Sequence, residues 1–269
     1  MIASAERLTA ALENRLPIDL GRIAEERAVQ SIQFHPLLVD GGLSVMPDGF
    51  RIYVRCEPAD APRFTELFKA DGTGKTLPPS TAIKARFTIA HELAHTLHFD
   101  ISRRPPTLTI APKKGQGIRG LEHACNDLAG VLLLPNDSFR AEFRFADQLL
   151  EPERLRSFCE NALVSRPTLV FRLAHLRDFD LPIGIIASAA IVGDQWKITA
   201  ITRHYALREL SPKAVVGAPL ETLTRKSVED IFSAPVWFRE EAGWRFECKA
   251  EQASGFGRKR SMLISLRRL

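Results

Sequence analysis

The chain has 269 residues, of which 45 % are hydrophobic and 26 % charged, enough for one large or two modest globular domains with no need of disulfide staples. The N-terminal stretch carries scattered charges, and the longest apolar run, Ile183 to Val192, is too short to span a bilayer, so neither a signal peptide nor a membrane helix is expected and the chain reads as cytoplasmic. Its four cysteines form no C-x-x-C pair, as suits reduced thiols, and a net charge of +5 is mild enough to read as a solvated surface rather than the mark of a DNA binder.

In chain order, Ala3 to Leu16 has apolar residues at helical spacing and stops before Pro17, within a stretch to about residue 48 that mixes helical and loop signals. Phe50 to Cys56 alternates as a strand does. From Glu57 to Ser80 the chain turns to Pro, Gly, Asp and Thr, with a helical piece around Arg63 to Lys69; this reads as an exposed insertion. Ser80 or Thr81 can cap a helix that runs to about Phe99, and residues 101–120 form a loop. A second helix, Leu121 to Leu134, is apolar almost all round and ends at Pro135. Helical patterns at 136–149, at 152–163 and from Arg166 to about Arg177 follow, the last two arranged like a helix–turn–helix. After Pro182 come β-like runs, Ile183 to Val192 and Gln195 to His204, joined by Gly193-Asp194. Glu221 to Phe232 reads as a helix, and Gly243 to Ala250 with Arg260 to Arg268 as an antiparallel pair. The expected fold class is α+β, divided into residues 1–150, a helical subdomain at 151–180 and a small α+β domain at 181–269.

The chemistry is concentrated in RFTIAHELAHTLHF, which contains His91-Glu92-x-x-His95. Four residues apart on a helix, the two imidazoles lie about 40° from each other and one turn along, so both reach one ion. Neutral nitrogen donors suit zinc, although histidine and carboxylate ligands also accept manganese. Glu92, about 100° round from His91, is placed to take a proton from an attacking water and return it to a leaving amine. Ile89, Ala90, Leu93, Ala94 and Leu97 form the opposite, apolar face. His98 shares the stripe, but it is about 10 Å along the axis from His91, too far for bonds of about 2 Å to one ion. Its place is at the rim or behind a ligand, or it is structural. A third ligand is expected on the second helix, where Glu122, His123 and Asp127 compete. A carboxylate on an otherwise buried helix needs a partner, for which a metal ion serves, and Asn126, one turn on from Glu122 and on its face, could hydrogen-bond to a ligand; the residues alone leave the three open. His123, Tyr53, Tyr205 and His175 are candidates for stabilising an oxyanion.

R-F-T-I-A-H-E-L-A-H followed by E-x-x-C-N-D-L-A-G-V-L-L-L-P resembles the ImmA/IrrE family of cytoplasmic zinc metallopeptidases, over about residues 15–180 and most closely over 84–99 and 121–135. The resemblance implies a zincin-like core with His91, His95 and Glu122 as zinc ligands and Glu92 as the catalytic base. It also implies a protein substrate, a helix-turn-helix transcriptional repressor whose cleavage releases the genes it holds off. Cys125, Leu128 and Leu134 stand where the family usually has Ala, Phe and Met. The tail from residue 183 is similar, by analogy of fold alone, to GAF- or PAS-like sensor modules. Two other readings compete with the protease. One is a DNA-binding or sensor regulator with a structural metal, supported by the helix–turn–helix-like pair and a pI of about 9.2. The other is a toxin–antitoxin partner.

Overall fold

The computed structural model describes residues 1–13, 15–109, 117–143, 148, 151–173, 176, 184–192, 195–203, 216, 218–219, 221–224, 231, 236–241, 244–250 and 261–268. They form a mixed α+β protein that divides into two compact units, Met1–Phe139 with Asn161–Val164, and Arg140–Glu160 with Ser165–Leu269. No helix among the described residues is long and apolar enough to cross a membrane, and all four cysteines are free thiols.

In the first unit, helices α1 (Ile2–Ala10) and α2 (Leu20–Glu26) lead into strands β1 (Val29–His35), β2 (Gly41–Met46) and β3 (Gly49–Arg55). The three strands form one sheet in the order β1-β3-β2, with β1 parallel and β2 antiparallel to β3. β2 is therefore an edge strand. Helices α3 (Ala61–Asp71) and α4 (Pro79–Thr96) follow, then the short strands β4 (Phe99–Asp100) and β5 (Thr107–Leu108) and helix α5 (Gly117–Leu133). Helix α4 packs on β2 and β3 on one side and on α5 on another, while α1 lies against α5.

Strands β1 and β2 fall in the stretch that reads as mixed helical and loop signals. Val29 and Phe34 are buried, but Ser31, Ile32 and Gln33 between them are all half-buried, so no clean two-residue alternation marks the strand. The polar segment at 57–80 is also more than an exposed insertion. It contains α3, which turns Phe64 and Phe68 into the core against β1, where both rings meet Phe34. The short apolar spacing within a polar stretch hides a face that only packing reveals.

Helix α4 is anchored along its length. Ala82, Ala85, Ile89, Ala90, Leu93 and Ala94 are buried. At its C-terminus Arg27 donates to the carbonyls of Thr96 (2.6 Å) and Phe99 (3.2 Å), which satisfies the end of the helix and places a cation at the negative end of its dipole. Midway, the fully buried Arg86 donates from Nη1 to the carbonyls of Ile18 (2.9 Å) and Thr73 (2.5 Å), tying the helix to the segments before α2 and after α3. Burial pushes its guanidinium down to about 10, with Asp71 and Asp19 pulling it back. Asp71 in turn organises the 73–76 turn by accepting from the amides of Thr73 (2.7 Å) and Thr76 (3.0 Å). At Gly72 (φ +62°) a β-carbon would run into the Asp19 carboxylate, so the left-handed end of α3 and the cap of α2 fit only around glycine. Because Leu93 is wholly enclosed on the back of α4, Leu93→Ala is expected to lower the unfolding free energy by about 2–5 kcal/mol. Denaturant melting reads this directly, and a loss below about 1 kcal/mol would mean that this face is not a packed core.

After α6 (Asn136–Glu142) and α7 (Pro152–Ala162), the second unit continues with α8 (Arg166–Leu173), β6 (Gly184–Val192), β7 (Gln195–Arg203), α9 (Glu221–Thr224), β8 (Val236–Glu241), β9 (Trp244–Ala250) and β10 (Ser261–Arg268). The five strands make an antiparallel sheet in the order β7-β6-β10-β9-β8. The expected β9–β10 pair is present, and β8, which carries no separate expectation, extends the sheet beyond it. β10 is central, paired with β6 on one edge and β9 on the other, and its residues 262–266 are all buried. Met262, Ile264 and Leu266 join Ala187, Ile198 and Cys248 in one apolar cluster. Helix α8 lies against β6 and β7 with Leu169, Val170 and Leu173 buried. The expected Gly193-Asp194 turn and the 254–257 turn lie outside the described residues.

Candidate metal centre

The site is built from α4 and α5. His91 and His95 project from one stripe of α4, and Glu122 reaches them from α5. His91 Nε2 and His95 Nε2 are 3.1 Å apart; His91 Nε2 is 3.1 Å from Glu122 Oε2, and His95 Nε2 is 3.6 Å from Glu122 Oε1. Among the described residues these three side chains form the one group whose ligand atoms all lie within 4.8 Å of one another, and they could hold a metal ion. Ligands about 2.0–2.1 Å from a tetrahedral ion stand roughly 3.3 Å from each other, so the spacing fits such an ion. Two imidazoles and a carboxylate, with Glu122 about half exposed, leave a side open to solvent.

The nitrogens turned away from this point are also engaged, both by α5. Asn126 Oδ1 is 2.9 Å from His91 Nδ1, and Cys125 Sγ is 3.4 Å from His95 Nδ1. Burial and the neighbouring His91 hold the His95 imidazole below its usual value, with Glu122 pulling the other way. A neutral imidazole is the form that ligates. Cys125 is fully buried, and its thiol is pushed up to about 12, by burial first and then by Glu122 and Glu92.

Glu92 is almost wholly enclosed and is pushed up to about 7, burial being the larger cause and the Glu122 carboxylate the smaller. A carboxyl poised near neutrality can both accept and release a proton. It faces the first residue of β2. A β-carbon at Gly41 would strike Thr88 Cγ2 and lie 3.1 Å from the Tyr53 carbonyl and 3.2 Å from Glu92 Oε1. The missing side chain at Gly41 is what lets the edge strand close over α4 beside Glu92. Gly41→Ala is expected to lower stability by about 1–3 kcal/mol through overpacking. A melting curve unchanged from wild type would mean that β2 stands further from α4.

The other sequence candidates separate clearly. His98 is buried rather than at a rim, with its Nε2 3.8 Å from Cys125 Sγ and its carbonyl accepting from the Thr109 amide (2.8 Å). His123 is exposed, and neither it nor Asp127 joins the three-residue group. Tyr53 has its hydroxyl 3.5 Å from Arg51 Nη1 and its ring against His35. Tyr205 and His175 lie outside the described residues. Sequence reasoning missed Gly41, Arg27 and Arg86. Only Arg86 left a trace: it falls at helical spacing from Ala82, Ile89 and Leu93, where a lone cation among apolar residues signals a buried, hydrogen-bonded guanidinium.

Compared with known proteins, the chain matches no family model and no curated protein. It is similar to a solved structure, a Mycobacterium tuberculosis transcriptional regulator, with a TM-score of 0.50 and 16 % sequence identity, over 99 % of this chain and 75 % of that one. The likeness is one of fold. It does not by itself assign an activity.

Proposed function

We propose that the chain is a metal-dependent endopeptidase working in transcription control, whose substrate is a helix-turn-helix repressor. The observation that carries this reading is the convergence of His91 Nε2, His95 Nε2 and the Glu122 carboxylate next to a buried, near-neutral Glu92. The motif resemblance to ImmA/IrrE peptidases supports it; the likeness of fold to a transcriptional regulator bears only on the setting in transcription control, not on the peptidase activity. On this reading residues 1–150 are a zincin-like core, 151–180 a helical docking subdomain and 181–269 a sensory domain.

His91, His95 and Glu122 would hold the ion, zinc or manganese. When bound, it supplies Lewis acidity toward a peptide carbonyl and lowers the pKa of water. The chain's own residues do the rest. Asn126 holds the ring orientation of His91. Glu92, ionised, accepts the proton of the attacking water at its carboxylate. The same carboxyl, now protonated, donates to the leaving amine. Enclosure of Glu92 under Gly41 keeps bulk water from competing for that proton. The test is incubation of the purified protein with the repressors encoded beside it, with chelator and with metal restored. Cleavage that disappears with chelator and returns with metal supports the reading; intact repressor under every condition removes it.

The likeness to a transcriptional regulator favours a second reading, a DNA-binding or sensor regulator in which the metal is structural. Against it, α8, the second member of the helix–turn–helix-like pair, has much of its surface on β6 and β7. A gel-shift titration across salt concentrations separates the two. Sequence-dependent binding by a protein without peptidase activity supports the regulator.

A further inference from the structure

We propose that the thiol of Cys125 is a positioning group for His95, the middle of a buried chain that runs from His95 Nδ1 through Cys125 Sγ to His98 Nε2. The inference rests on the reading that His91, His95 and Glu122 hold a metal. The two imidazoles converge through Nε2, so each must carry its proton on Nδ1, and each Nδ1 needs a partner to fix its ring. His91 has the Asn126 amide oxygen at 2.9 Å. His95 has Cys125 Sγ at 3.4 Å. A thiol has one weak acceptor and one weak donor function. With the acceptor taken by His95 Nδ1–H, its own proton points to His98 Nε2, 3.8 Å away. His98 then carries its proton on Nδ1, which is buried and finds no hydrogen-bond partner among the described residues. One tautomer of each histidine and one orientation of the thiol satisfy every other contact in the chain.

Two consequences follow for the metal. The ligands are held unequally, because an amide oxygen is a strong acceptor and a thiol sulfur a weak one. The less polarised His95 is the weaker donor and the one whose orientation depends on packing. His98, just past the end of α4 and outside the three-residue group, acts through Cys125 rather than from the rim of the site.

Cobalt(II), added alone to the metal-free full-length protein, tests this by its affinity and its visible spectrum. Wild type, Cys125→Ala, Cys125→Ser and His98→Phe are compared, with melting of the metal-free forms recorded alongside. Cys125→Ala is expected to weaken cobalt binding about 10- to 100-fold and to shift the spectrum. Cys125→Ser, whose hydroxyl keeps both functions on a shorter bond, recovers part of the affinity; His98→Phe changes the spectrum less than Cys125→Ala. Should Cys125→Ala fail to fold, the serine variant carries the comparison. Wild-type affinity and spectrum in the variants overturn the proposal. A sulfur-to-cobalt charge-transfer band in wild type also overturns it, since Cys125 would then be a ligand. If wild type takes up no cobalt, or His91→Ala takes it up equally well, the metal centre itself is wrong and this inference falls with it.

Discussion

Glu92→Gln is expected to keep the metal and to cut peptide hydrolysis about a thousandfold, within the 10²–10⁴ that a positioned general base contributes. Glutamine has the shape of the carboxyl group and keeps its hydrogen-bonding reach, but it cannot take up a proton. Binding and turnover therefore separate: metal affinity stays within about twofold of wild type while the rate falls. Wild-type cleavage by this variant would remove Glu92 from the mechanism. The same substitution has a stability signature in the metal-free protein. The folded state holds the Glu92 proton up to about pH 7, whereas the unfolded chain releases it near the ordinary value of 4.5. The contribution of this group to folding is thus fully present below pH 4.5 and is lost as pH rises through 7, a change of about 3 kcal/mol. Metal-free wild type should lose stability across that window, and Glu92→Gln should lose less. Parallel pH–stability curves for the two proteins would contradict the buried, near-neutral carboxyl.

The second large effect concerns the metal itself. An ion that binds only the folded state stabilises it by about 2.7 kcal/mol at a concentration one hundred times its dissociation constant. For a unit the size of the first one, that raises its melting temperature by roughly 5–10 °C. His91 stands between the other two ligands, 3.1 Å from each, and His91→Ala leaves only a nitrogen and a carboxylate. The rise on adding zinc is expected to vanish in this variant, and chelator should reverse it in wild type. Equal shifts in both proteins would place the metal elsewhere.

These two experiments bear on residues with different claims on the sequence. His91 and His95 must share a face of any helix they occupy, since four residues bring them about 40° apart. Their joint reach toward one ion needed no tertiary information. The same periodicity exposes the apolar back of α4, and Ile89, Leu93 and Ala94 are indeed enclosed. The mixed α+β class was also legible, because the spacing of apolar residues changes after Pro182 from helical to strand-like.

The rest depended on contacts between segments distant in sequence. Glu122, His123 and Asp127 lie on one short stretch and are chemically comparable. Only the packing of α5 on α4 sets Glu122 beside the imidazoles, leaves His123 in solvent and turns Cys125 inward between two histidines. Strands β1 and β2 bury too little of themselves to leave an alternating pattern; the sheet exists because α3 and α4 cover it. The near-neutral Glu92 is likewise a product of the tertiary structure. Its motif specifies a carboxylate beside two histidines, but the shift comes from burial under Gly41 and from the charge of Glu122 across the helix pair. Local spacing decides which side chains can point the same way. Long-range packing decides what surrounds them, and desolvation and hydrogen bonding then set their chemistry.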